Sequence, residues 1–157
     1  MGSRPHRVET ERGHNNENFS YMESEHFVGK VSLRAIIERD GALFLCRGIG
    51  DKVWQLPGGR MHKGEAPAQA LAREIREELG VVIEPVRPTS AHYVVHSKTG
   101  VPQLVLVYYC TMPNGQEMEI DKTETEEARW VPKTEAAVLP MFDDCRRAVD
   151  EYLAAQA

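Results

Sequence analysis

Cysteine is scarce in this chain and follows no pattern. The three present, Cys46, Cys110 and Cys145, stand far apart in apolar surroundings with no CxxC pair. That excludes a zinc-ribbon or dithiol redox site and predicts buried free thiols, as a reducing cytoplasm keeps them. Long apolar runs are missing too. No stretch approaches the ~20 apolar residues that a membrane span needs, and the N-terminus lacks the apolar core of a signal peptide, so a cytoplasmic protein without membrane contact is expected. Nor is there an excess of positive charge. The net charge of −5 argues against a general nucleic-acid binder, which needs a basic surface to neutralise phosphates, but leaves room for a local basic pocket. Internal repeats and low-complexity segments are absent. What is there, 157 residues with 41% hydrophobic and 27% charged, has the size and composition of one globular domain with a single core.

Residues 1–26 are polar, rich in His, Asn, Glu and Arg, with too few apolar side chains to build a core. They read as an arm or leader before a single domain at 27–157. The functional alternative is an arm that packs on a partner subunit, which would make the protein a homodimer. From Gly29 the pattern is β: Val31, Leu33, Ala35 and Ile37 alternate with other residues, Asp40-Gly41 marks a hairpin turn, and 42–47 resume the alternation. A short apolar run at 53–56 reads as a strand and is ended by Pro57-Gly58-Gly59. Further strands are expected at 81–86, 91–96, 103–111 and 127–131, with Pro132 opening a helical turn. Cys145, Ala148, Val149, Tyr152 and Leu153 fall at i, i+3, i+4, i+7 and i+8, the spacing of a C-terminal amphipathic helix that starts near Asp143 or Asp144. Strands on both sides of a central helix, with another helix at the end, predict an α/β (α+β) fold in which a mixed sheet is flanked by helices.

That central helix carries the chemistry. Pro67 suits a first helical turn and Gly80 the position past the end. At ~100° per residue from Glu74, the apolar Ala68, Leu71, Ala72, Ile75 and Leu79 centre about 120° away, whereas Glu77 lies near −60° and Glu78 near +40°. Glu74, Glu77 and Glu78 thus form one carboxylate stripe along the edge of the buried face. Like charges at i, i+3 and i+4 repel by a few tenths of a kcal/mol per pair, roughly, and by more beside a core. Arg73 and Arg76 offset part of this; solvent, as on an ordinary acidic helix face, or a bound cation would offset the rest. Hard oxygen ligands suit Mg²⁺ or Mn²⁺, which bind through a few carboxylates, water and substrate phosphates. The preceding glycines let bare backbone approach a ligand closely.

The sequence Gly59, five residues, Glu65, seven residues, then Arg73-Glu74-Ile75-Arg76-Glu77-Glu78-Leu79-Gly80-Val81 resembles the signature box of the Nudix hydrolases at every defined position. The resemblance implies the family's α/β/α sandwich and hydrolysis of a diphosphate bond in a nucleoside diphosphate derivative or nucleoside triphosphate by metal-activated water. It implies Glu74, Glu77 and Glu78 as metal ligands with the carbonyl of Gly58. Gly59, Glu65 and Arg73 would be structural, Glu65 pairing with Arg73 to lock loop to helix. A catalytically silent nucleotide-sensing module on the same fold is the alternative, which the intact set of glutamates disfavours.

The residue that takes the proton from water is left open between Glu77 or Glu78 on the helix and Glu124 or Glu126 in the acidic connection at 114–127, where six carboxylates face the single Lys122. Arg34 and Arg47, on neighbouring strands, and His62, in the loop within the box, are candidates to meet substrate phosphates. No proline lies between Pro88 and Pro102, where the resemblance would place the marker of ADP-ribose-cleaving members, so that substrate is disfavoured.

Overall fold

Strands β1 (Lys30–Arg39) and β2 (Ala42–Gly48) form the hairpin that Asp40-Gly41 predicts. Both turn residues take positive φ, 50° and 76°, as the mirror-image turns between right-twisted strands require. The computed structural model describes residues 25–157; the expected arm lies outside them except for Glu25 and His26, both exposed.

Helix α1 (Pro67–Leu79) follows the glycine turn, then come β3 (Glu84–Val95), β4 (Pro102–Thr111) and β5 (Thr125–Pro132). A short helix α2 (Lys133–Ala136) and the C-terminal α3 (Asp143–Ala154) complete the chain. The five strands make one sheet in the order β3-β4-β1-β2-β5. Among the described strands β1 and β4 pair in parallel and the other pairs are antiparallel, so the sheet is mixed as expected.

Residues along β1 point alternately to two cores. Leu33, Ala35 and Ile37 pack with Leu71, Ile75 and Leu79 of α1, whereas Ile36 packs with Cys145, Ala148 and Val149 of α3. Burial of these side chains on both faces gives the expected α/β/α sandwich. The three cysteines are buried and free, as the sequence predicts.

Three local expectations change. The strands expected at 81–86 and 91–96 are one, β3, because Pro88, Thr89 and Ser90 do not turn the chain. β3 is an edge strand, where a proline costs no ladder bond on its open side, and its pairing slips at Pro85/Arg87 and Pro88/Ser90 to absorb the prolines. The run at 53–56 forms only isolated bridges, Cys46 with Gln55 and Trp54 with Met141. Pro132 ends β5 and precedes α2 instead of lying inside it.

Candidate active site

Two glycines build the floor of the site. Gly58 takes φ of 145°, and a Cβ there would stand 2.0 Å from the Leu33 carbonyl oxygen. The turn therefore lies on the β1 backbone itself, fixed by Leu33 N–H donating to Gly59 O at 2.8 Å and Ala35 N–H donating to Pro57 O at 2.8 Å. At Gly59 the space a Cβ would fill is taken by the Glu74 carboxylate, 2.1 Å from Oε2. The glycine pair thus has two separate functions, one toward the sheet and one toward the helix.

Arg73 locks loop to helix. Its Nε and Nη2 donate to Glu65 at 2.6 and 3.0 Å, and Nη2 also reaches the Arg60 carbonyl at 3.1 Å. Nη1 donates to Glu74 at 2.9 Å and Glu77 at 3.2 Å. Glu65 accepts in addition from the His62 N–H at 2.8 Å. Hydrogen bonds from Arg73 and then from this N–H hold the Glu65 carboxyl down at about 2. The pairing expected of Glu65 and Arg73 is therefore present, and Arg73 grips two of the stripe glutamates as well.

The stripe lies deeper than its helical angles suggest, since α1 also buries Ala70, roughly 40° beyond Glu74 on the side away from Leu71. Glu74 and Glu78 then fall inside the packed arc. The Glu74 side chain is 14% exposed and that of Glu77 61%. Burial pushes the Glu78 carboxyl up to about 7; the neighbouring Glu74 and Glu124 charges add to this, while Arg34 and a hydrogen bond with the Gly58 backbone oppose it.

Glu124 arrives because the acidic connection docks on the end of α1. Glu119 N–H donates to Leu79 O and Asp121 N–H to Glu78 O, each at 2.9 Å, which satisfies carbonyls that a helix end leaves without partners. Thr125 N–H then bonds Asp121 O at 2.9 Å, and Ile49 N–H bonds Glu124 O at 3.2 Å. Glu126 is held elsewhere, accepting from Arg47 Nη1 at 3.0 Å and Gly50 N–H at 3.3 Å.

Arg34 links this cluster to a cleft of about 560 Å³ that also involves Asp51, Tyr93, Phe142, Asp143 and Asp144. Its Nη1 lies 3.4 Å from both the Leu56 and Gly58 carbonyl oxygens. Among the described residues its buried Nε has no hydrogen-bond partner, and Asp144 Oδ2 lies 3.9 Å away. Arg47 is engaged through both terminal nitrogens: besides Glu126 it holds Glu127 at 3.1 Å and the Asp51 carbonyl at 2.8 Å. His62 is exposed, on a different concavity. Sequence reasoning missed Asp144 as a neighbour of Arg34; its only signal was an acidic residue at a helix start.

Among the described residues no three His, Cys, Asp or Glu side chains converge as a ready-made metal cage. The donor chemistry nevertheless suits a hard divalent cation. The available groups are carboxylates and a carbonyl, and the poorly solvated Glu78 beside Glu74 and Glu124 is an electrostatic imbalance that a cation would relieve.

A NUDIX domain profile matches residues 29–152. The nucleoside triphosphatase NudI of Escherichia coli is 32% identical over 110 residues, 61% of this chain and 77% of that protein. The RNA pyrophosphohydrolase of Acinetobacter baylyi is 39% identical over 66 residues, 42% of this chain and only 39% of that protein's length. Among solved structures, the MutT NUDIX hydrolase from Burkholderia pseudomallei superposes with a TM-score of 0.66 at 26% identity, covering 78% of this chain and 96% of that one. With its glycine turn, Glu65–Arg73 lock and glutamate stripe in place on an α/β/α sandwich, the chain belongs to the Nudix hydrolase family.

Proposed function

We propose that this chain hydrolyses a diphosphate bond in a nucleoside triphosphate or another nucleoside diphosphate derivative, with Mg²⁺ or Mn²⁺ as cofactor. The observation that carries this reading is the Gly58-Gly59 turn laid directly against the Glu74 carboxylate, with the half-buried Glu78 one turn further along α1. Glu74, Glu77, Glu78 and the Gly58 carbonyl would hold the metal, which when bound supplies phosphate-charge neutralisation and a more acidic water.

The chain's own groups do the rest. Arg34, with its unpartnered Nε, binds phosphate oxygens where the cleft meets the glutamates, and fixed positive charge there stabilises the charge that develops on them. Glu124, exposed and free of ion pairs among the described residues, takes the proton from the attacking water; Glu126 is engaged with Arg47. Arg73 and Glu65 keep Glu74 and Glu77 in register. The cleft beside Arg34 receives the nucleoside. In this reading 27–157 is one catalytic domain of a cytoplasmic protein, whose buried thiols stay free.

The likeness to NudI makes nucleoside triphosphates the first compounds to try. The test is a panel of nucleoside triphosphates, nucleotide sugars and dinucleoside polyphosphates with Mg²⁺ or Mn²⁺, scored for phosphate-containing products. Metal-dependent turnover of at least one is expected; silence across the panel would favour a nucleotide-sensing module.

A further inference from the structure

A second concavity, of about 510 Å³, lies beside the same turn, lined by Lys30 and Val31 of β1 and by Arg60, Met61, His62 and Lys63 of the loop before α1. Its charge has one sign. No described Asp or Glu lines it, and Lys30, Arg60 and Lys63 are exposed and have no ion-pair partner among the described residues. Several cations elsewhere are matched, as in Lys133 with Glu38, Arg129 with Glu135 and Arg146 with Asp150. The nearest acidic side chain in sequence, Glu65, has both oxygens turned to Arg73 and the His62 N–H. In a protein of net charge −5, this is a local excess of positive charge that no described acidic side chain matches.

Its place is as specific as its charge. Arg60 directly follows Gly59, the residue against which Glu74 rests. The Arg60 carbonyl accepts from Arg73 Nη2 while Arg73 Nη1 holds Glu74 and Glu77, so the groove begins one guanidinium away from the stripe. The larger cleft and this groove share no lining residue. The cleft reaches the glycine turn through Arg34, which contacts Gly58 O, and the groove reaches it through Arg60.

We infer that this groove binds the anionic arm of the substrate, the phosphate groups that extend past the scissile diphosphate bond. Nucleotides whose leaving arm is a phosphate chain are then preferred over those whose arm is a neutral sugar. Phosphate binding by the groove stands on the groove's own charge; the preference among substrates rests on the proposed hydrolysis. Lysines on flexible stems follow a mobile polyphosphate as point charges, Arg60 adds a planar fork of donors, and His62 adds a ring N–H. Each exposed contact is weak and sensitive to salt, so the cations act as a field and not as a rigid clamp.

Calorimetric titration of inorganic tripolyphosphate into metal-free protein tests the binding directly and needs no catalysis. The Arg60→Gln/Lys63→Gln double variant should bind it weaker by roughly fivefold to thirtyfold, with wild-type affinity falling as salt rises. Undetectable binding by the wild type, or equal affinity in the double variant, would overturn the inference. For the enzyme with its metal, the double variant should raise KM for a nucleoside triphosphate at nearly constant kcat and leave KM for a nucleotide sugar unchanged. An equal rise for both would refute the preference. A protein that turned over neither substrate would fail the hydrolysis reading and still answer the titration.

Discussion

Glu74 occupies the volume that a side chain at Gly59 would need, its Oε2 falling 2.1 Å from an ideal Cβ there, whereas the same atom built on Gly58 would strike the Leu33 carbonyl oxygen at 2.0 Å. Adjacent glycines are thus required for different reasons. Gly59→Ala meets the end of a side chain, which can swing away, so the fold survives while Glu74 is displaced; turnover should fall roughly 100-fold, as for other displacements of about 1 Å at a reacting centre. Gly58→Ala meets backbone and a left-handed φ, and should destabilise the protein by about 3 kcal/mol or more. Thermal unfolding and kcat measured on both variants check the split; a stable, active Gly58→Ala protein would contradict it.

Glu65 should titrate far below an ordinary carboxylate, since Arg73 and the His62 N–H hold it down at about 2. A group depressed in the folded state stabilises above its unfolded pKa and loses that contribution as pH falls toward the folded value, so the lock should persist through pH ~4 and release only in stronger acid. A carboxyl chemical-shift titration reads this midpoint. Glu65→Gln should lower kcat by roughly 10- to 100-fold, the usual loss when a partner that orients metal ligands is removed.

For Glu78 the sign reverses. Its carboxyl is pushed up to about 7 by burial, so the proton it carries favours the folded state at low pH, and that contribution disappears as pH rises through about 7. Metal-free wild type should therefore lose Tm relative to Glu78→Gln between pH ~5 and ~8, since Gln mimics the protonated side chain. Mg²⁺ should recover the loss at the upper pH by binding the folded state. Unfolding curves in chelator and in Mg²⁺ give both results; a difference that stays flat with pH would contradict the assignment.

Much of this was legible in the sequence where local rules act alone. Pro67, Gly80 and the spacing of Leu71, Ile75 and Leu79 mark α1 to the residue, and Asp40-Gly41 marks the hairpin. The misreading of β3 is also local in origin: Pro88 reads as a turn unless one knows that the strand lies at the sheet edge, which is a tertiary fact. Side-chain reach was less legible still. Glu124 and Glu126 are alike in sequence, and only the docking of the acidic connection on α1 separates them. Arg34 and Arg47 look equivalent on neighbouring strands, yet Arg34 retains a buried, unpartnered Nε among the described residues whereas both terminal nitrogens of Arg47 are taken by Glu126, Glu127 and the Asp51 carbonyl.

That separation can be measured. Glu124→Gln should lower kcat by roughly 100- to 10,000-fold if its carboxylate takes the proton from water, the range for a general base. Glu126→Gln removes a surface contact to Arg47 and should cost far less. Steady-state kinetics of the two variants side by side decide between them, and the reverse order would move the base to Glu126.

The most direct measurement of the whole account is turnover of nucleoside triphosphates by Glu78→Gln in saturating Mg²⁺, with its metal-free unfolding curve recorded alongside. Removing one carboxylate from the stripe, with shape preserved, should reduce kcat roughly 100- to 1,000-fold, the scale of losing a fixed charge-stabilising group. The metal-free protein should remain folded with a Tm at or above wild type. Near-normal turnover in a folded Glu78→Gln protein would contradict the claim that these glutamates carry the chemistry.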